Sequence, residues 1–226
     1  MTNGTDMKSE TRHPTRETAA PLPGRRERKR LETRERIFRA AMELFGRHGF
    51  FATTVEDITE AADVGKGTFF NYFPSKEQLF SVLYELQLKR VSEARAAALS
   101  GKLSLRDLLR HFVRQITEEP GRNQLLARGL MATVVSSAAV REMHLETMRR
   151  GRQIMGEVLR LGQQRGEIRS DLAPDEMIRV LQQSLIGTVL LWSLGPSSNL
   201  QKRLDATFEI YWSGISLSAQ KGAELS

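Results

Sequence analysis

Residues 54–79, TVEDITEAADVGKGTFFNYFPSKEQL, leave room for little except short helices joined by tight turns. Val55, Ile58, Ala61 and Ala62 recur at helical spacing, and the two alanines allow a second helix to cross closely. Thr54 predicts an N-cap, with Asp57 three residues on as the other half of a capping box. Asp63 falls in the turn, where a positive φ is expected and Asp tolerates it better than most residues. Gly65 opens a second short helix with polar and aromatic side chains, and Ser75 with Gln78 predicts a capped helix start directly after Pro74. A helix, a four-residue turn and another helix form the unit that can offer one helix to a DNA major groove.

Upstream, Ile37, Ala40, Ala41, Leu44 and Phe45 form one apolar stripe, which predicts a helix over residues 31–48 stopped by a left-handed Gly49. Residues 25–36 carry seven basic side chains (Arg25, Arg26, Arg28, Lys29, Arg30, Arg34 and Arg36) against Glu27, Glu32 and Glu35. The whole chain has a formal charge of +7, a balance that favours polyanionic partners. Residues 1–29 read as a disordered basic tail, since 1–24 are rich in Thr, Pro, Gly and Glu with little apolar content. They lack the apolar central stretch of a signal peptide.

The spacing of Thr54-Val55, Ile58, Val64-Gly65-Lys66-Gly67-Thr68, Asn71-Tyr72-Phe73 and Ser75-Lys76-Glu77 resembles that of the TetR-type (tetracycline-repressor) regulators. The likeness covers roughly residues 34–86, and it departs at Asp63, Gly65 and Phe70, where the family usually has Gly, Ser and a phosphate-contacting Tyr. It implies an all-α chain with an N-terminal three-helix helix-turn-helix DNA-binding domain over 30–90 and a C-terminal helical ligand-binding and dimerisation domain over 100–220. Arg30 and Arg34 would then lie beside the DNA backbone. Lys66 is placed for a phosphate or a guanine edge, Thr68 for a phosphate or thymine methyl, and Asn71 for a phosphate or adenine. The Tyr72 hydroxyl is expected on a phosphate, Thr54 on a phosphate through its amide, and Lys76 on the backbone as in the family. Phe69 and Phe73 are expected in the core.

Helical patterning continues without strand alternation to the end of the chain. A fourth helix is expected over 75–98, and then one capped by Ser104 and stopped by Pro120. Others follow at 123–136, 140–164, from Pro174 to 194, and 200–218. Gly151, Gly156 and Gly162 interrupt the long helix, either for close approach or simply as weak points. The last two helices are unusually apolar. By the family likeness, Leu181, Leu185, Val189, Leu204, Phe208, Tyr211 and Trp212 would pack against a two-fold mate, giving a homodimer on a roughly palindromic operator. Phe112, Met131, Met148, Met155 and Trp192 are candidates for an apolar effector pocket, with Arg128 or Arg152 as polar anchors.

No HExxH, GxSxG, GxGxxG or P-loop pattern is present, and His13, His48, His111 and His144 lack ligand spacing, so no catalytic residue, metal or cofactor is expected. The chain contains no cysteine, in keeping with a cytoplasmic location. The apolar stretch 185–194 is too short for a bilayer, and no membrane partner is expected. These readings converge on a regulator of double-stranded DNA, expected to be a repressor released by a small hydrophobic effector of unknown identity. A transcriptional activator and a non-specific architectural binder are the alternatives.

Overall fold

The computed structural model describes residues 24–196 and 198–217. Among these the chain forms α1 (Arg25–His48), α2 (Val55–Ala61), α3 (Lys66–Tyr72), α4 (Leu79–Ser100), α5 (Leu105–Thr117), α6 (Gln124–Ser136), α7 (Ala138–Gln164), α8 (Pro174–Leu194) and α9 (Leu200–Ile215). The described residues contain no strand, and the one β-like contact is an isolated antiparallel bridge between Ile168 and Ser216.

Most helix starts are those the capping chemistry predicts. Thr54 accepts from the Asp57 amide at 3.1 Å while its own amide donates to the Asp57 carboxylate at 2.7 Å, so the capping box is complete. Ser104 and Asn123 cap α5 and α6 through Asp107 and Leu126. Asp63 takes the expected positive φ of 49°. Gly49 has a positive φ of 85°, but with ψ 157° it leaves α1 in an extended path instead of a left-handed turn.

Three boundaries differ from expectation. α1 begins at Arg25, two turns early, because nothing between Gly24 and Leu31 breaks a helix and Glu27 and Arg30 sit an ion-pair step apart at 3.9 Å. Residues 25–29 are therefore helical; residues 1–23 of the expected tail, with His13, lie outside the described residues. Ser75 makes no side-chain cap. The chain instead takes a 3₁₀ turn at Lys76–Gln78 before α4, and Gln78 donates its amide to the Ser75 carbonyl at 3.2 Å. α9 stops at Ile215, whose carbonyl accepts from the Arg169 amide at 2.8 Å as the chain turns to bridge Ile168; position 218 is outside the described residues.

Two hydrophobic clusters organise the packing. One joins α1, α2 and α3 to the start of α4 and to Leu126, Leu130 and Val140. The other joins the end of α4 to α5, α7, α8 and α9. α4 runs through both, giving Leu79, Phe80, Leu83 and Tyr84 to the first and Val91, Ala94 and Ala98 to the second. Of the three glycines in α7, only Gly162 lies where an added Cβ would collide with a neighbour, the Leu105 side chain, so close approach is required there and not at Gly151 or Gly156. α8 is long and apolar enough to cross a bilayer by length and composition, yet it packs among α6, α7 and α9.

Candidate functional site

α2 and α3 meet through Ile58, Ala62 and Phe69, and Phe69 and Phe73 are fully buried, as expected of core residues. Burying these two rings leaves Lys66, Gly67, Phe70 and Asn71 exposed on α3, with Thr68 and Tyr72 half-buried at the flanks. Phe70 keeps half of its surface open to solvent. An exposed ring on an otherwise polar helix is suited to an apolar contact such as a thymine methyl. Lys66 forms an ion pair with Glu56 on α2, and the bond from Lys66 holds the Glu56 carboxyl below its usual range. Both side chains are exposed, so this ammonium can exchange its carboxylate for a phosphate at little cost.

Three groups expected on DNA are engaged elsewhere, the first being the Thr54 amide, which donates to the Asp57 carboxylate at 2.7 Å. The Lys76 ammonium donates to the carbonyls of Phe50 and Thr53, both at 2.7 Å, and stands 4.3 Å from the Phe50 ring centroid. Burial pushes its pKa down. It fastens the loop that delivers Thr54 to the head of α2, which is a positioning role. Arg34 makes two bonds to the Glu85 carboxylate, at 2.8 and 2.7 Å, and lies 5.8 Å from the Phe73 ring centroid, tying α1 to α4. The exposed cations in the first half of α1 are Arg25, Arg26, Arg28, Lys29, Arg30 and Arg36. All six belong to the basic run read from sequence, within which Arg30 was the individual contact expected. Phe51, 65% exposed in the loop before α2, was not singled out.

The expected effector residues separate into two groups. Phe112, Met131, Met148 and Met155 line a cavity of about 120 Å³ at the seam between the two hydrophobic clusters. Arg128, Arg152 and Trp192 are not part of its wall. Arg128 donates to the Ser193 carbonyl at 2.6 Å, Arg152 to the Gln182 side-chain oxygen at 3.2 Å, and the Trp192 indole to the Ser198 carbonyl at 2.8 Å. Each of the three satisfies a local polar group on α8 or the loop after it. The wall also contains Tyr84, Gln87 and Leu88 of α4 and His144 of α7. The sequence signal was Tyr84, Leu88 and Val91 at i, i+4 and i+7, with a polar Gln87 set into an apolar stripe. The Tyr84 and His144 rings lie 5.7 Å apart, and burial raises the phenol pKa and lowers that of the imidazole, which favours its uncharged form. His111, by contrast, is exposed on α5 and is not part of the wall.

The residues expected between protomers face inward. Leu181, Leu185, Val189, Leu204, Phe208 and Tyr211 are buried in the protomer's own core, with Trp212 packed against them. Their register places them under α4, α5 and α7, where they shed water without a second chain. The apolar surface left uncovered on α8 and α9 is the opposite one: Val180 is 52%, Leu191 65% and Ile210 75% exposed. Ser184, Gly187, Thr207 and Gly214 lie among them in one shallow groove. Small residues between large ones at i, i+4, i+7 spacing allow two helix pairs to approach closely.

Comparison with known proteins matches residues 37–83 to the family model for bacterial regulatory proteins of the tetR family, and residues 102–198 to that for the tetracyclin repressor-like C-terminal domain. The HTH-type transcriptional regulator TcmR of Streptomyces glaucescens is 44% identical over 71 residues, a match spanning 31% of each chain. The HTH-type transcriptional repressor DhaR of Mycobacterium sp. (strain GP1) is 29% identical over 169 residues, 71% of this chain and 82% of the relative. Among solved structures, FadR of Thermus thermophilus, a transcriptional repressor crystallised with lauroyl-CoA, is 30% identical, with 80% of this chain and 94% of that chain covered at a TM-score of 0.59.

Proposed function

Since the chain belongs to the TetR family of bacterial transcriptional regulators, we propose that it acts in the cytoplasm as a homodimeric repressor, released from a palindromic operator by a small apolar effector. The observation that carries this reading is the cavity's position. Leu83, Tyr84 and Leu130 belong at once to its wall and to the cluster that supports α2 and α3. A ligand that spreads this wall must repack the base of the reading head. It shifts the protein toward release only to the extent that it binds the repacked state more tightly than the DNA-bound one. Ligand-bound FadR and the repressor name of DhaR support this sense of regulation.

On DNA, Phe70 and Asn71 would face base edges, while Lys66, Thr68, Tyr72 and the exposed arginines of α1 would hold phosphates. Pairing through Val180, Leu191 and Ile210 would set two reading heads on one two-fold axis, which demands an inverted repeat.

Selection of bound fragments from random DNA, in about 150 mM salt to suppress charge-only binding, tests the proposal. The expected product is an enriched palindrome; enrichment of a single half-site, or of nothing, would overturn the dimeric-repressor reading. Changing Lys66→Ala should weaken binding to that palindrome and make log K against log[salt] shallower by about one unit, the share of one phosphate. An unchanged slope together with unchanged affinity would displace Lys66 from the reading face.

A further inference from the structure

The chemistry of the cavity wall narrows what can occupy it. Among the described residues, no Asp, Glu, Lys or Arg lines the cavity. A charged ligand would lose its hydration there with no opposite charge to meet. Three of the polar groups in the wall are already engaged. The Thr117 hydroxyl donates to the Val113 carbonyl at 2.7 Å and Thr147 to the Met143 carbonyl at 2.8 Å. Gln182 accepts from Arg152 and donates to the Met148 carbonyl at 3.1 Å. The remaining polar groups are Tyr84 and Gln87, one helical step apart on α4, and His144 facing Tyr84 from α7. None of these three side chains makes a hydrogen bond among the described residues. Tyr84 is buried and Gln87 and His144 are half-buried, so their free polar groups on an otherwise apolar wall are a place for a ligand's polar atom.

We propose, building on the effector reading above, that the effector is an uncharged, single-ring or similarly compact apolar compound whose one hydroxyl or carbonyl group bonds the Tyr84–Gln87–His144 trio. A neutral imidazole both donates and accepts, and so does the Gln87 amide, so either ligand group can be matched. Size points the same way. The cavity of about 120 Å³ is somewhat smaller than the ~150 Å³ apolar cavity that admits benzene. One ring already requires Met131, Met148 and Met155 to yield, which their flexible side chains allow. That yielding would couple occupancy to the seam.

The test is calorimetric titration of the full-length protein with three probes of one size, 4-propylphenol, 4-propylbenzoate and 4-propylbenzylammonium. Release of the selected operator is read in parallel. The phenol should bind at least about tenfold more tightly than either ion and should be the one that releases DNA. His144→Phe should lower phenol affinity roughly fivefold, the worth of one neutral hydrogen bond, without weakening 4-propyltoluene. His144→Gln should restore most of the loss. Thr147→Trp, which fills the cavity, should abolish binding of all probes while helical content is kept. If an ion binds as tightly as the phenol, and Thr147→Trp abolishes it, the uncharged class is wrong and the effector site stands. If no probe binds, or if Thr147→Trp leaves binding intact, the cavity as effector site is overturned together with the proposal.

Discussion

Replacing Ile210 with aspartate should leave a folded monomer that no longer holds its operator. Ile210 is 75% exposed in the protomer, so a single chain loses almost no burial when it is changed. In a two-fold pair the same position occurs twice, and Ile210→Asp would bury two like charges in an apolar groove shared with Val180 and Leu191. A monomer keeps one reading head and falls from specific toward non-specific affinity, a loss on the order of 10³-fold at physiological salt. Sedimentation equilibrium and fluorescence anisotropy on the selected palindrome check both parts. Phe208→Asp is the contrasting case: Phe208 is 1% exposed, so this change should unfold the chain instead of separating protomers. A stable Ile210→Asp dimer with normal operator affinity would remove the groove from the interface.

Lys76→Met should lower stability by about 2 kcal/mol, the usual worth of hydrogen bonds to a charged group, and lower the melting temperature by roughly 4–8 °C for a chain of this size. The substitution keeps much of the aliphatic stem over Phe50 but strands the Phe50 and Thr53 carbonyls. Operator affinity should fall because α2 is no longer held at its first turn, while the salt slope stays as in the unchanged protein. A normal melting temperature with a slope shallower by about one unit would return Lys76 to the phosphate backbone, where the family likeness places it.

The contrast between Lys66 and Lys76 marks how far local sequence reaches. The Thr54–Asp57 capping box, the Asp63 turn and helical stripes are decided within a few residues, so they were legible, as was the all-α class. The carbonyls that hold Lys76 lie 26 and 23 positions earlier, at Phe50 and Thr53, and nothing near Lys76 announces them. The same limit governs α8. Its buried row (Met177, Leu181, Leu185, Val189) and its exposed row (Val180, Leu191) are both apolar, so hydrophobicity alone cannot say which faces the core. The exposed row does differ in carrying Ser184 and Gly187 between its large residues, a pattern with no use in a close-packed core. In the cavity, four lining residues were recognisable as large apolar side chains at helical spacing. The three that left the set were ones whose polar groups found backbone or side-chain partners within the α6–α8 region.

That α4 serves two hydrophobic clusters also governs how the molecule can be recombined. A hybrid regulator joined between residues 90 and 100, where sequence would put the domain border, would set a foreign Val91–Ala98 segment against this chain's α5 and α7 or separate Tyr84 from His144. A cassette that starts upstream of Leu79 keeps α4 with the sensor, but it must also carry a reading head whose α1–α3 fit Leu79, Phe80, Leu83 and Tyr84.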